Sequence, residues 1–177
     1  DRLRQLQRGL IETLLYTLEL HDPITASHQR RVAHMVEAMA RRHNMDAQQV
    51  ELLGIAAKLH DIGNISVPAE IVIKPSRLST TEAAIMRGHV RAGYDVLLQA
   101  ELPATITETV LKHHERLDGS GYPRGMAASE LDLPARLLAV ADVFEAMTAH
   151  RPYRPALPER QAMHYLRVEG REAFDPE

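Results

Sequence analysis

Five of the ten histidines, His28, His60, His89, His113 and His114, fall on the apolar side of a helical repeat. His28 shares a stripe with Val32, Met35 and Met39 at i, i+4, i+7 and i+11. The same spacing puts His60 and Asp61 with Leu53 and Ala57. It puts His89 with Ile85, Ala92 and Val96, and His113 and His114 with Ile106 and Val110. Asp142 interrupts Leu137, Leu138, Val140, Ala141, Val143, Phe144 and Met147, a segment apolar almost all round. A carboxylate buried without a partner is costly enough to stay protonated. Two inward aspartates beside five inward histidines therefore have one economical explanation, a divalent cation site shared by several helices. A bundle core is a usual place for such a site. One inward histidine alone is more often a hydrogen-bonded core residue, and the His60–Asp61 pair alone could belong to any helix end. The weight comes from five helices repeating the same anomaly. His21, His34, His43, His150 and His164 lack that company and are expected at the surface or at helix caps.

The elements that must carry these groups are helices, because apolar spacing near 3.6 dominates and strand alternation is scarce. The first runs from about Arg2 to Leu20, with Leu3, Leu6, Leu10, Leu14 and Leu18 along one stripe. It starts without a cap, so we expect it to continue from an upstream regulatory domain. The stripe is open to two uses, pairing with a second copy or packing on the bundle. A second helix covers Thr25 to His43. A third starts at the N-cap Asp46, with Gln49 three residues on, and reaches His60. Pro68 and Pro75 frame a short helix or turn. Ser79 with Glu82 forms a capping box for a helix to Ala100. Pro103 suits the first turn of a helix to His114. Asp118 to Gly125 is a loop rich in glycine. Pro134 and Pro158 open two more helices, and Phe174 to Glu177 read as the start of another. The expected fold is all-α, a single bundle of about seven helices, with residues 1–20 as a linker helix and 21–177 as the domain.

Bulk composition narrows the chemistry. The chain has 177 residues, enough for one domain with a core, and no cysteine, which excludes disulfides, thiolate sites and cysteine nucleophiles. A net charge of −3 argues against DNA or broad nucleic-acid binding. It leaves room for a small phosphate ligand held by metals. No apolar run approaches a membrane span and no signal peptide is visible, so a cytoplasmic location is the default.

His60-Asp61 followed by Ile62-Gly63 resembles the HD motif of the HD phosphohydrolase superfamily. His113-His114-Glu115-Arg116-Leu117-Asp118-Gly119-Ser120-Gly121-Tyr122-Pro123 resembles the HD-GYP subfamily segment over its full length. Asp22-Pro23 through His28 and Arg31-Val32 is similar to the family's first ligand helix. Ala141-Asp142 through Thr148, with Arg151-Pro152-Tyr153-Arg154, is similar to its last metal aspartate and basic follow-on. The resemblance covers residues 10 to 177. It implies a bacterial phosphodiesterase for cyclic di-GMP, giving linear pGpG, with GMP as an alternative end product. It also implies two divalent ions, iron or manganese, although His and carboxylate ligands suit zinc and nickel as well. Carried over residue by residue, one ion would take His28, His60, Asp61 and Asp142. The second would take His89, His113 and His114, with Asp61 bridging. Such ions acidify bound water and polarise phosphoryl oxygens. The resemblance puts Arg151 on a phosphate, with Asn64, Asp22, Tyr122 and Arg154 as further substrate contacts.

Two departures matter. Some family members hold a third metal through a Glu four residues before the first ligand histidine; Ile24 stands there, so two metals are expected. Family members often read His-Asp-Ile-Gly-Lys, and the fifth residue here is Asn64. Losing one charge-assisted hydrogen bond costs roughly 1.5–3 kcal/mol. That motivates a second reading, a cyclic di-GMP-binding or protein-interaction module that turns over slowly or not at all. A third is a generic HD nucleotidase. Glu115 and Asp118 read either as groups orienting the histidines or as plain surface charge. The partners implied are an upstream receiver or sensor domain, a diguanylate cyclase domain at the Gly121-Tyr122-Pro123 loop, and a second copy in a homodimer.

Overall fold

The computed structural model describes residues 2–21, 23–150 and 155–175, apart from the side chains at 3, 4, 7, 21, 23 and 24. Among them there are eight α-helices and no strand. They are α1 (Arg2–His21), α2 (Pro23–Arg42), α3 (Ala47–Leu59), α4 (Ala69–Val72), α5 (Thr80–Gln99), α6 (Ala104–Lys112), α7 (Leu133–Thr148) and α8 (Glu159–His164). Short 3-10 segments lie at Ile62–Ser66 and Ala128–Glu130, and α8 widens into a π-helical turn at Tyr165–Glu169. The helix beyond the expected seven is α4, a single turn.

Local chemistry sets the starts. Asp46 accepts from the Gln49 amide at 2.8 Å while the Gln49 side chain accepts from the Asp46 amide at 3.0 Å, which closes the box at α3. Ser79 and Glu82 do the same for α5. At α7 Asp132, not a proline, is the cap, accepting from the Ala135 amide. Pro103 is likewise the N-cap of α6 rather than its first helical residue.

The core has two lobes that meet on α3. In one, Val32, Val36 and Ala40 of α2 pack with Val50, Leu53 and Ala57 of α3 and Leu137, Leu138 and Ala141 of α7. In the other, Leu18, Ala56, Leu59, Ile62, Leu97, Ile106 and Val110 come together from α1, α3, the first 3-10 segment, α5 and α6. The N-terminal leucine stripe divides: Leu14 and Leu18 join this second lobe, whereas Leu6 and Leu10 are exposed.

Helix α5 departs from the expected stripe. Ile85 and Val96 are exposed, and the buried face is His89, Val90, Gly93 and Leu97. The reason is a backbone approach that apolar spacing does not register: Gly93 faces Gly63 with no side chain between them. The helix is thereby rolled so that 90, 93 and 97 face inward, and His89 borders that face. The last described residues also differ from expectation. Phe174 and Asp175 are not helical; Phe174 is buried under the Arg116 guanidinium, 4.8 Å from its ring centre.

Candidate metal centre

The seven expected ligands converge. His28 comes from α2, His89 from α5 and Asp142 from α7; the pairs His60–Asp61 and His113–His114 follow the last turns of α3 and α6. Placing the pairs at helix ends matters, because neighbours inside a helix point about 100° apart. Asp61 has left helical geometry, with φ −98° and ψ 12°, so both members of its pair can face one centre. Consecutive rings from His28 through His60, His113 and His114 stand 5.5, 5.0 and 4.0 Å apart, and His89 lies 5.5 Å from His113 and 5.2 Å from His114.

Three of the imidazoles are oriented by their own helices. His60, His89 and His113 each contact the carbonyl three residues earlier through Nδ1, at 2.7, 2.6 and 2.6 Å. A carbonyl only accepts, so Nδ1 carries a proton, and in the neutral ring that leaves the Nε2 lone pair free. Those three Nε2 atoms are buried with no hydrogen-bond partner. Buried polar atoms are almost always partnered, and three orphans turned on one point suit a Lewis acid. The acids complete the set. Asp142 Oδ1 lies 3.1 Å from His28 Nε2 and 3.7 Å from His60 Nε2. Asp61 turns one oxygen to His60 and the other to His89, each at 3.4 Å. Atoms about 2.1 Å from one ion lie about 3.0–3.4 Å from each other, which the 3.1 and 3.4 Å separations match, and the 3.7 Å pair is slightly wider.

The ligand atoms fall into two trios, His28–His60–Asp142 and His89–His113–His114, each mutually within 4.8 Å, and His60–Asp61–His113 joins them. The residues present therefore fit divalent metal, with Asp61 lying against both His60 and His89. Electrostatics separate the trios. Burial and neighbouring imidazoles hold His113 well below the ordinary histidine range, and burial takes His114 down to about 4, so both are neutral. Burial also opposes charge on His28, but Asp142 and Glu145 outweigh it and carry His28 up to about 9. A cation takes only the neutral ring. At pH 8 the first ion bound by metal-free protein should therefore displace a proton from His28. Calorimetric Mn2+ titrations in two buffers of different ionisation enthalpy should differ in heat by at least about one proton for the ion that His28 binds, since at His60 too burial is outweighed by Asp61 and Asp142, which raise it; identical heats would refute it.

Three acidic residues acquire roles that the sequence left open or missed. Glu115 neither orients a histidine nor sits on the surface. It is 1% exposed and accepts from the Arg124 and Met126 amides at 2.7 and 2.9 Å, which pins the loop after His114. Gly121 crosses directly over this residue: a Cβ there would lie 2.4 Å from Glu115 Cα and the Arg116 amide. Replacing Glu115 by Ala leaves two amides unpaired and should cost about 2–4 kcal/mol in a denaturant midpoint measurement. Asp118 is exposed and accepts from the Ser120 amide and hydroxyl, a turn within the loop. Glu145, which the sequence reading passed over, is 3% exposed and binds His28 Nδ1 with one oxygen and Arg31 with the other. Its only sequence signal was its place one turn after Asp142 in an apolar helix.

At the rim Tyr122 stacks on His114, 4.7 Å between ring centres, and the Arg87 guanidinium lies 5.1 Å from the Tyr122 ring. Asn64 follows Asp61 on the 3-10 turn, its amide bonded to the Asp61 carbonyl and its Oδ1 buried without a partner. Asp22, Arg151, Arg154 and the Ile24 side chain lie outside the described residues. His34, His150 and His164 are exposed and His43 half-buried, away from the ligand set; the His21 side chain is also outside the described residues.

The chain matches the HD domain family over residues 12–177. It is 34% identical over 178 residues to the cyclic di-GMP phosphodiesterase response regulator RpfG of Xanthomonas campestris pv. campestris, covering 99% of this chain and 47% of that protein. It is 35% identical over 152 residues to 3'3'-cGAMP-specific phosphodiesterase 1 of Vibrio cholerae, covering 86% and 35%. In fold it is similar to Bd1817, an HDG"Y"P protein from Bdellovibrio bacteriovorus, with a TM-score of 0.72 at 20% identity over 85% of this chain and 48% of that one. The chain thus spans between a third and a half of the curated relatives it matches. With the His60–Asp61 pair at the heart of the cluster and the match running through nearly every helix, the chain belongs to the HD domain family.

Proposed function

We propose that this chain is the catalytic domain of a metal-dependent phosphodiesterase that opens cyclic di-GMP to linear pGpG, with GMP as the product of a second cleavage. The observation that carries this reading is the set of three buried, unpartnered imidazole nitrogens gathered around Asp61 and Asp142. The relatives named for cyclic dinucleotides support the substrate class. One ion would be held by His28, His60, Asp61 and Asp142, and the other by His89, His113 and His114 with Asp61 shared. Iron or manganese suits this donor set, as do zinc and nickel.

The bound ions would supply acidified water and polarised phosphoryl oxygens. The chain's own residues supply position. Asp61 spaces the trios by offering one oxygen to each. Burial keeps the Tyr122 phenol protonated beside His114, so it can donate a hydrogen bond to a substrate oxygen. Arg87 adds a cation at the same edge, and Asn64 offers an amide where a lysine is usual. Arg151, Arg154 and Asp22 complete the proposed contacts. An upstream receiver domain is the regulatory partner we favour, with α1 as the connection; the Xanthomonas relative is named a response regulator.

A binding module with slow turnover is the second reading, favoured by the neutral Asn64. The deciding experiment incubates iron- or manganese-loaded protein with cyclic di-GMP and, separately, with 3'3'-cGAMP, and separates linear products by chromatography. Linear pGpG is expected. Saturable binding without product would leave the module, and cleavage of 3'3'-cGAMP alone would change the substrate.

A further inference from the structure

The two trios differ in how their histidines are held. His60, His89 and His113 lean on neutral carbonyls of their own helices. His28 instead has its Nδ1 on a buried carboxylate from another helix, Glu145 of α7, whose second oxygen is held by Arg31. A carboxylate behind an imidazole makes the far nitrogen a stronger donor than a carbonyl does, and it fixes the ring more firmly because the bond is charge-assisted. The trios also differ in charge. His28–His60–Asp142 contains a carboxylate of its own, while His89–His113–His114 is built of imidazoles alone and relies on the shared Asp61. A divalent ion is better neutralised in the first.

Arg31 makes the arrangement directional. Its side chain is 53% exposed while that of Glu145 is 4% exposed, so the guanidinium reaches in from the surface to a buried acid. This holds Glu145 on His28 rather than leaving it free to turn to the ions. We propose that Glu145, fixed by Arg31, is a positioning residue that makes the His28–His60–Asp142 trio the seat that fills first, with the His89–His113–His114 trio a weaker and exchangeable seat. The inference rests on the two-ion reading above and needs no substrate, so its failure is distinguishable from failure of the phosphodiesterase assignment.

The test is Mn2+ binding to metal-free protein, followed by calorimetry and by the loss of the free Mn2+ electron paramagnetic resonance signal. Wild type should show two separable events. Glu145→Gln keeps the shape and removes the charge; it should weaken the first event by about 10- to 100-fold and leave the second nearly unmoved. His114→Ala should do the reverse, removing the second event and sparing the first. Arg31→Met, at a largely exposed position, should give a smaller loss in the first event, and it keeps the test available if Glu145→Gln folds poorly. One uniform binding event in wild type, or equal weakening of both events by Glu145→Gln and by Arg31→Met, overturns the proposal.

Discussion

Asp61→Ala is expected to remove bound metal and phosphodiesterase turnover together. Among the described residues, Asp61 is the one carboxylate whose two oxygens face different trios, His60 on one side and His89 on the other, each at 3.4 Å. In the proposed two-ion centre, removing it would take a ligand from both seats at once. It would also leave Asp142 as the one carboxylate among the proposed ligands to offset two dications, Glu145 being turned to the far side of His28 and to Arg31. Loss of one second-layer partner usually costs 10- to 100-fold in metal affinity, so loss of a shared ligand should cost on the order of 10³-fold or more. Turnover, which needs the ions for charge stabilisation, should fall at least as far. Elemental analysis of protein purified without added metal, read beside a cyclic di-GMP hydrolysis assay, checks both. Full metal content with retained activity would falsify the shared-ligand assignment. Asp142→Ala is the useful contrast, because the close contacts of Asp142 are to His28 and His60 of one trio. It should empty one seat before the other.

A second large effect is predicted where no chemistry occurs. A Cβ on Gly63 would lie 1.9 Å from the His89 carbonyl oxygen, 2.6 Å from the Gly93 amide and 2.8 Å from the His89 carbonyl carbon. All three are backbone atoms of α5, so no rotamer change relieves the contact. The helix must move off the 3-10 segment by more than an ångström. Overpacking typically costs 1–3 kcal/mol when side chains can adjust, and here they cannot. Gly63→Ala should therefore lose at least about 3 kcal/mol in chemical denaturation of metal-free protein. The same displacement carries His89 away from Asp61, so metal affinity should fall with stability. Gly88 on the same helix is a control, since a Cβ there meets nothing within 4 Å. Gly88→Ala should be neutral or stabilising by up to about 1 kcal/mol. Equal stabilities for the two variants would mean that the α5 approach is wrong.

Much of the ligand set was legible because its residues break a local rule. A histidine or aspartate on an apolar stripe stands out against its own helix, and His28, His60, Asp61 and Asp142 could each be marked without knowing what lay opposite. Caps were legible for the same local reason: Asp46 with Gln49 and Ser79 with Glu82 span four residues each. His89 was identified correctly on a stripe that was rolled wrongly. The roll depends on two glycines thirty positions apart in sequence, and glycine carries no apolar signal.

Local chemistry along the chain was enough to determine the long helices, the capped starts of α3 and α5, and which polar side chains must find company inside, because each depends on neighbours within a few residues. The tertiary structure alone decided the company: that Glu145 stands behind His28, that Glu115 holds down a loop instead of a ring, and that Asp61 divides its oxygens between two trios. A carboxylate looks the same in sequence whether it meets an imidazole, an amide or water. Its role is set by distance and burial, and those exist only once α2, α3, α5, α6 and α7 have packed together.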